Sequence, residues 1–134
     1  MLNISDYKDY EFLFRHFEAF SSIPHGSGNT KAIADFFVEF ARVRGLECYR
    51  DEADNVVIKK PATKGYEQRP AVIFQGHLDM VAEKKTGAPI DMEKEGLTLY
   101  RDGDFLRAKD TTLARSPGKI FFAHALPGTA AMHH

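Results

Sequence analysis

Residues 71–80 read Ala-Val-Ile-Phe-Gln-Gly-His-Leu-Asp-Met, and the environment that this run demands decides the fold. Its first four residues are apolar without alternation, the pattern of a strand covered on both faces and therefore central in its sheet. A strand is expected over 71–75. Working outward, two shorter strand-like runs precede it at 46–50 and 55–60. The acidic run Asp51-Glu52-Ala53-Asp54 separates those two, and the Pro- and Gly-containing linker PATKGYEQRP at 61–70 leads on to the central run. Downstream, runs at 97–101 and 105–108 flank Asp102-Gly103-Asp104, which reads as a hairpin turn.

The amino-terminal third has a different period. Tyr10, Leu13, Phe14, Phe17 and Phe20 recur at three- and four-residue intervals, placing a buried stripe on a helix over about 6–20. The break SSIPHGSGN at 21–29 follows. Asn29 and Thr30 then offer capping oxygens to a second helix that buries Ile33, Phe36, Phe37 and Phe40, and Gly45 supplies the positive φ that closes it. Two helices followed mostly by strands argue an α/β layer structure, with helices packed on a mixed sheet.

A ligand site in such a sheet lies beyond the carboxyl ends of the strands, which is where Gly76-His77-Leu78-Asp79 falls. Side chains two apart on extended backbone point the same way, so His77 and Asp79 share one side. A neutral imidazole is a good zinc ligand, a neighbouring carboxylate can fix its tautomer, and Gly76 lets the backbone approach closely. The spacing alone also fits a hydrogen-bonded structural histidine, and both readings stay open on these residues.

Composition narrows the classes. The chain has 134 residues, 43% of them hydrophobic, room for one domain with a core. With 18 basic and 19 acidic residues it has no uniform field to attract nucleic acid or an anionic membrane. The acidic start MLNISDYKDYEF lacks the basic and apolar regions of a secretory signal, and no apolar run is long enough to span a bilayer, so a cytoplasmic location is expected. Cys48 has no second cysteine to pair with and reads as a small buried apolar residue.

The longer string VIFQGHLDMVAEK at 72–84 resembles the first metal-binding segment of the zinc aminopeptidase, carboxypeptidase and aminoacylase superfamily, in which an apolar strand runs into G-H-x-D. Together with IPHGSGNTKAIADFF at 23–37 and LYRDGDFLRAKDTTL at 99–113, it resembles the aminoacyl-histidine dipeptidases, over roughly residues 4–113. The resemblance implies that His77 is a ligand of one of two zinc ions and that Asp79 is the carboxylate of the catalytic set that orients it. It implies a cytosolic metallopeptidase hydrolysing dipeptides with a C-terminal histidine, such as β-alanyl-histidine, with zinc polarising the scissile carbonyl and activating water.

The resemblance stops at Leu113. Family members, several times longer, continue after T-T-L with a Gly-Ala-Asp-Asn-Gly stretch whose Asp bridges the metals, whereas this chain continues ARSPGKIFFAHALPGTAAMHH. The bridging Asp, the general-base Glu and the remaining ligands have no counterpart. Residues 1–113 are thus expected to be the N-terminal part of an incomplete catalytic domain, and 114–134 a divergent tail whose abrupt onset suggests a frameshift or a premature end. The two zinc ions are not expected to be retained, and His124, His133 and His134 stand in no recognised ligand spacing. Two alternatives accompany the truncated dipeptidase: a non-catalytic αβ fragment that binds something through an uncovered sheet edge, and an inert product prone to aggregate through Ile120, Phe121 and Phe122. The partner expected of the intact family is a small dipeptide.

Other polar residues have plainer readings. His25, in its loop, is expected to be solvated or capping, Asp102 and Asp104 to serve the turn, and Lys84, Lys85 and the run IDMEKEG to form solvated connections. His16 is assigned no role.

Overall fold

The computed structural model describes residues 10–103 and 105–115. Helix α1 spans Glu11–Ser21 and α2 spans Lys31–Arg42, followed by strands β1 (Glu47–Arg50), β2 (Val56–Lys59), β3 (Leu99–Asp102), β4 (Phe105–Ala108) and β5 (Ala114–Arg115). The α/β class with two helices is what these residues build. The strands form two small antiparallel sheets, β1-β2 and β3-β4-β5, and parallel character is confined to a bridge between Gly26 and Met80.

Each helix covers one sheet. On α1 the stripe turns Phe14 inward, 1% exposed, against Leu99, Leu106 and Ala108 of the β3-β4 hairpin, with Phe17, Leu97 and Leu113 packed around them. Burial of a side chain this size contributes roughly 1.5–3 kcal/mol. The outer end of the expected stripe departs from this: Tyr10 precedes the helix and Leu13 lies at its edge, and both remain exposed. Residues 6–9 and Asp104 lie outside the described residues.

On α2, Ile33, Ala34 and Ala41 are buried on the helix that packs against β1 and β2. The hairpin alternates accordingly, with Cys48, Arg50, Val56 and Ile58 half-buried and Tyr49 and Val57 exposed opposite each other. Cys48 is thus half-covered rather than fully buried. The phenylalanines of α2 do a further job, since Phe37 meets Phe20 in a tilted arrangement at 6.3 Å between centroids and Phe40 meets His16 edge-on at 5.3 Å, tying the two helices together.

The helix ends show which local signals hold. Gly45, at φ +63°, donates to Arg42 O and Leu46 N–H reaches Ala41 O, the paired bonds of a Schellman ending. The expected amino-terminal cap is absent: Thr30 makes no cap bond and donates instead to Asp54 Oδ2 at 3.1 Å, while Asn29 Nδ2 donates to Glu93 O at 2.9 Å. Both side chains are spent on long-range ties, which stabilise the position of α2 rather than its first turn.

The largest departure is at 71–75. No strand forms there, and Val72, Ile73 and Phe74 are 76, 87 and 89% exposed. A strand exists only by pairing its backbone, and among the described residues nothing pairs with this run or lies over its faces. The apolar pattern reports the cover that such a run would need, and residues 61–70 before it, all exposed, do not supply it.

Candidate functional site

The chain regains contact with the fold one residue beyond the motif. Met80 N–H donates to His25 O at 2.9 Å, and Ser27 N–H donates to Met80 O at 3.2 Å, forming the parallel bridge that joins the 71–80 segment to the loop between the helices. Gly26 lies in that bridge, and a Cβ there would sit 3.0 Å from Ala82 Cβ, so the two segments run close because position 26 has no side chain.

Above this bridge stand the two residues singled out by sequence. His77 Nδ1 lies 2.9 Å from Asp79 Oδ1, and Ser27 Oγ donates to Asp79 Oδ2 at 2.5 Å. The Ser27 hydroxyl, then the His77 ring, hold the Asp79 carboxyl below the usual carboxylate range. An ionised carboxylate only accepts hydrogen bonds, so His77 Nδ1 carries the proton and, in the neutral ring, Nε2 presents its lone pair. The His77 side chain is 77% exposed and open to a ligand. With Nδ1 engaged by the carboxylate, Nε2 is the ring nitrogen that could face a ligand.

The donor set fits one ligand of a zinc ion and falls short of a shell. Catalytic zinc ordinarily takes three protein ligands, and among the described residues no three His, Cys, Asp or Glu side chains come together. His124, His133 and His134 lie outside those residues. His25 is buried at 7% exposure, and its Nδ1–H is committed to Ile23 O at 2.5 Å, so neither a solvated nor a free capping role applies; it pins the loop that holds Met80.

The remaining polar candidates are structural. Asp102 accepts Arg107 Nε across the hairpin, and Lys84 Nζ donates to Ile90 O. In the acidic connection 90–96, Asp91 and Glu95 bond to backbone amides of their own loop, at Glu93 and Asp91 respectively. His16 contacts Phe12 and Phe40, and burial, then Arg44, lower its pKa. Sequence reading passed over Ser27, which sits 52 residues from Asp79, a separation that no local spacing encodes.

Among the described residues, no helix is long and apolar enough to cross a membrane. No family model matches the chain. Over 110 residues it is 39% identical to the cytosol non-specific dipeptidase of Escherichia coli (strain K12), a match covering 82% of this chain and 22% of that protein. The crystal structure of aminoacylhistidine dipeptidase from Vibrio alginolyticus superposes with a TM-score of 0.72 at 39% identity, covering 79% of this chain and 22% of that one. The chain thus spans about a fifth of the length of these relatives. Over the matched stretch the chain is thus similar, in both sequence and fold, to the aminoacylhistidine dipeptidase.

Proposed function

We propose that this chain carries one part of a metal-dependent dipeptidase site, with His77 as a zinc ligand through Nε2 and Asp79 as the carboxylate that fixes its tautomer. The observation that carries the reading is the His77–Asp79 contact, which engages Nδ1 and leaves Nε2 free on a stretch 39% identical to a named dipeptidase. The chemistry that bound zinc supplies in such a site is polarisation of the scissile carbonyl and activation of water. His77 and Asp79 contribute orientation: Asp79 holds the ring so that its bare nitrogen faces solvent, which spares the ion part of the cost of ordering its ligand.

The substrate class is a dipeptide, with a C-terminal histidine favoured by the name of the structural neighbour. A cytosolic location accords with the name of the Escherichia coli relative. On this reading the 134-residue chain does not hydrolyse dipeptides alone, because among the described residues no three side chains are grouped to hold a metal, where a catalytic zinc takes three protein ligands.

The test is calorimetric zinc titration of the chain beside His77→Ala, with β-alanyl-histidine hydrolysis followed in parallel. Weak zinc binding that His77→Ala abolishes, without hydrolysis, is the expected result. Binding that survives His77→Ala would remove His77 from the site, and turnover by the chain would show that residues beyond those described complete the shell.

A further inference from the structure

We propose that Ser27 is a positioning residue for the His77–Asp79 pair, its hydroxyl locking the carboxylate into the orientation in which the other oxygen accepts the imidazole proton. The inference deepens the metal-site reading above, and its structural half holds independently of whether zinc binds.

The case starts from the weakness of the motif's own support. Residues 71–77 have no strand partner and are exposed, so the backbone before His77 fixes nothing. Order enters from the loop between the helices. Its backbone grips Met80 on both sides, through His25 O and Ser27 N–H, and its Ser27 side chain reaches Asp79 Oδ2. Asn29 of the same loop donates to Glu93 O, and Gly96 lies so close to the end of α1 that a Cβ there would stand 1.9 Å from Ser22 O. The loop is therefore held by elements other than the segment it positions.

Each oxygen of Asp79 has one partner, Ser27 on Oδ2 and His77 on Oδ1. A carboxylate with one oxygen fixed cannot rotate about its terminal torsion without breaking that bond. Ser27 thus sets the plane in which Oδ1 meets Nδ1–H, and through it the direction in which Nε2 points. Because Ser27 Oγ donates to an ionised carboxylate, the bond is charge-assisted, and such bonds are roughly twice as strong as neutral ones.

The experiment is long-range ¹H–¹⁵N correlation on the imidazole of the labelled, metal-free full chain at one fixed pH of about 8, where an ordinary imidazole is neutral. In the wild type and in Ser27→Thr, which keeps a hydroxyl donor, His77 is expected chiefly as the Nδ1–H tautomer. In Ser27→Ala the population is expected to shift toward Nε2–H while the amide spectrum stays folded, since Ser27 is exposed.

A zinc titration of the same three proteins is expected to show about a tenfold loss of affinity in Ser27→Ala and recovery in Ser27→Thr, the low end of the range for outer partners of metal ligands. An unchanged tautomer in a folded Ser27→Ala overturns the proposal. So does collapse of that variant's amide spectrum, because the serine would then be structural. If no zinc binds to any of the three while the tautomer shifts as described, the metal reading fails and the positioning role stands.

Discussion

The β3-β4 hairpin and the stretch 61–77 both bring apolar side chains out of a loop, and they meet opposite fates. Leu99 and Leu106 lie under α1 at 5 and 3% exposure, because the hairpin turn returns the chain onto itself and Phe14 closes the face. Val72, Ile73 and Phe74 stand almost wholly in solvent. The hairpin carries its partner strand within ten residues, whereas a strand of the central kind depends on neighbours distant in the chain. Apolar character sets the demand for cover, and connectivity decides whether it is met locally.

The sharpest way to break the comparison is to remove the cover. Phe14→Ala empties the space between α1 and the hairpin and is expected to cost about 3–5 kcal/mol, the usual range for a buried phenylalanine. Urea denaturation followed by circular dichroism reads it as a lower midpoint with an unchanged slope. A loss under 1 kcal/mol would mean that the hairpin does not depend on α1.

Next in size comes the junction that brings β3 back beneath α1. Leu97 N–H donates to Ser21 O at 2.7 Å, and Gly96 passes with no room for a side chain against the Ser22 carbonyl. Gly96→Ala puts a methyl into backbone that cannot turn aside and is expected to cost about 1–3 kcal/mol in the same assay. A neutral outcome would place the approach of these segments farther apart than 1.9 Å implies.

A smaller effect is expected on the other sheet, where a charged tie does what the apolar seam does for the hairpin. Arg50 bonds Asp54 through Nε at 2.9 Å and also pairs with Asp35, and Thr30 adds a bond to Asp54. Chiefly because of Arg50, the Asp54 carboxyl ionises below its usual range. A depressed pKa gives stability that is present above the unfolded value, about 3.9, and is lost as pH falls through the folded one. Asp54→Asn keeps a residue that tolerates the φ of +65° at this position and removes the charge together with one acceptor oxygen. Its melting temperature is expected below that of the wild type at pH 7 and 5, with the gap narrowing below pH 4. A gap that stays constant with pH would assign the loss to something other than ionisation.

How much could be read in advance follows the same division. The helices, both hairpins and the Gly45 ending rest on neighbours within a few residues, and their periods and turn residues state them. The buried stripe of α1 was legible at Phe14 and lost at Leu13, because the width of a helix's buried face depends on what covers it. His77 and Asp79 were legible as a pair sharing one side of an extended segment. Ser27 was not, since its bond to Asp79 spans 52 residues and a serine in a Gly-rich loop first suggests a turn. The expected central strand failed for the reason that Ser27 was missed: both depend on contacts across the fold that local pattern does not contain.

The smallest expected effect tests that last point directly. If the run at 71–75 is bare, Phe74→Lys trades one exposed side chain for another, loses no packing and leaves no polar group buried. Its change in stability is then expected to stay within about 0.5 kcal/mol, the range of surface substitutions away from special features. In a covered central strand the same change would bury an unpaired ammonium and unfold the sheet, since an isolated charge in an apolar interior is far costlier than any contact it replaces. Equilibrium urea denaturation of Phe74→Lys, run beside Phe14→Ala at equal protein concentration, separates the two. Loss of the folded baseline in Phe74→Lys would show that this run is covered in solution. An unshifted midpoint would show that the fold of α1, α2 and the two hairpins stands without cover over this run.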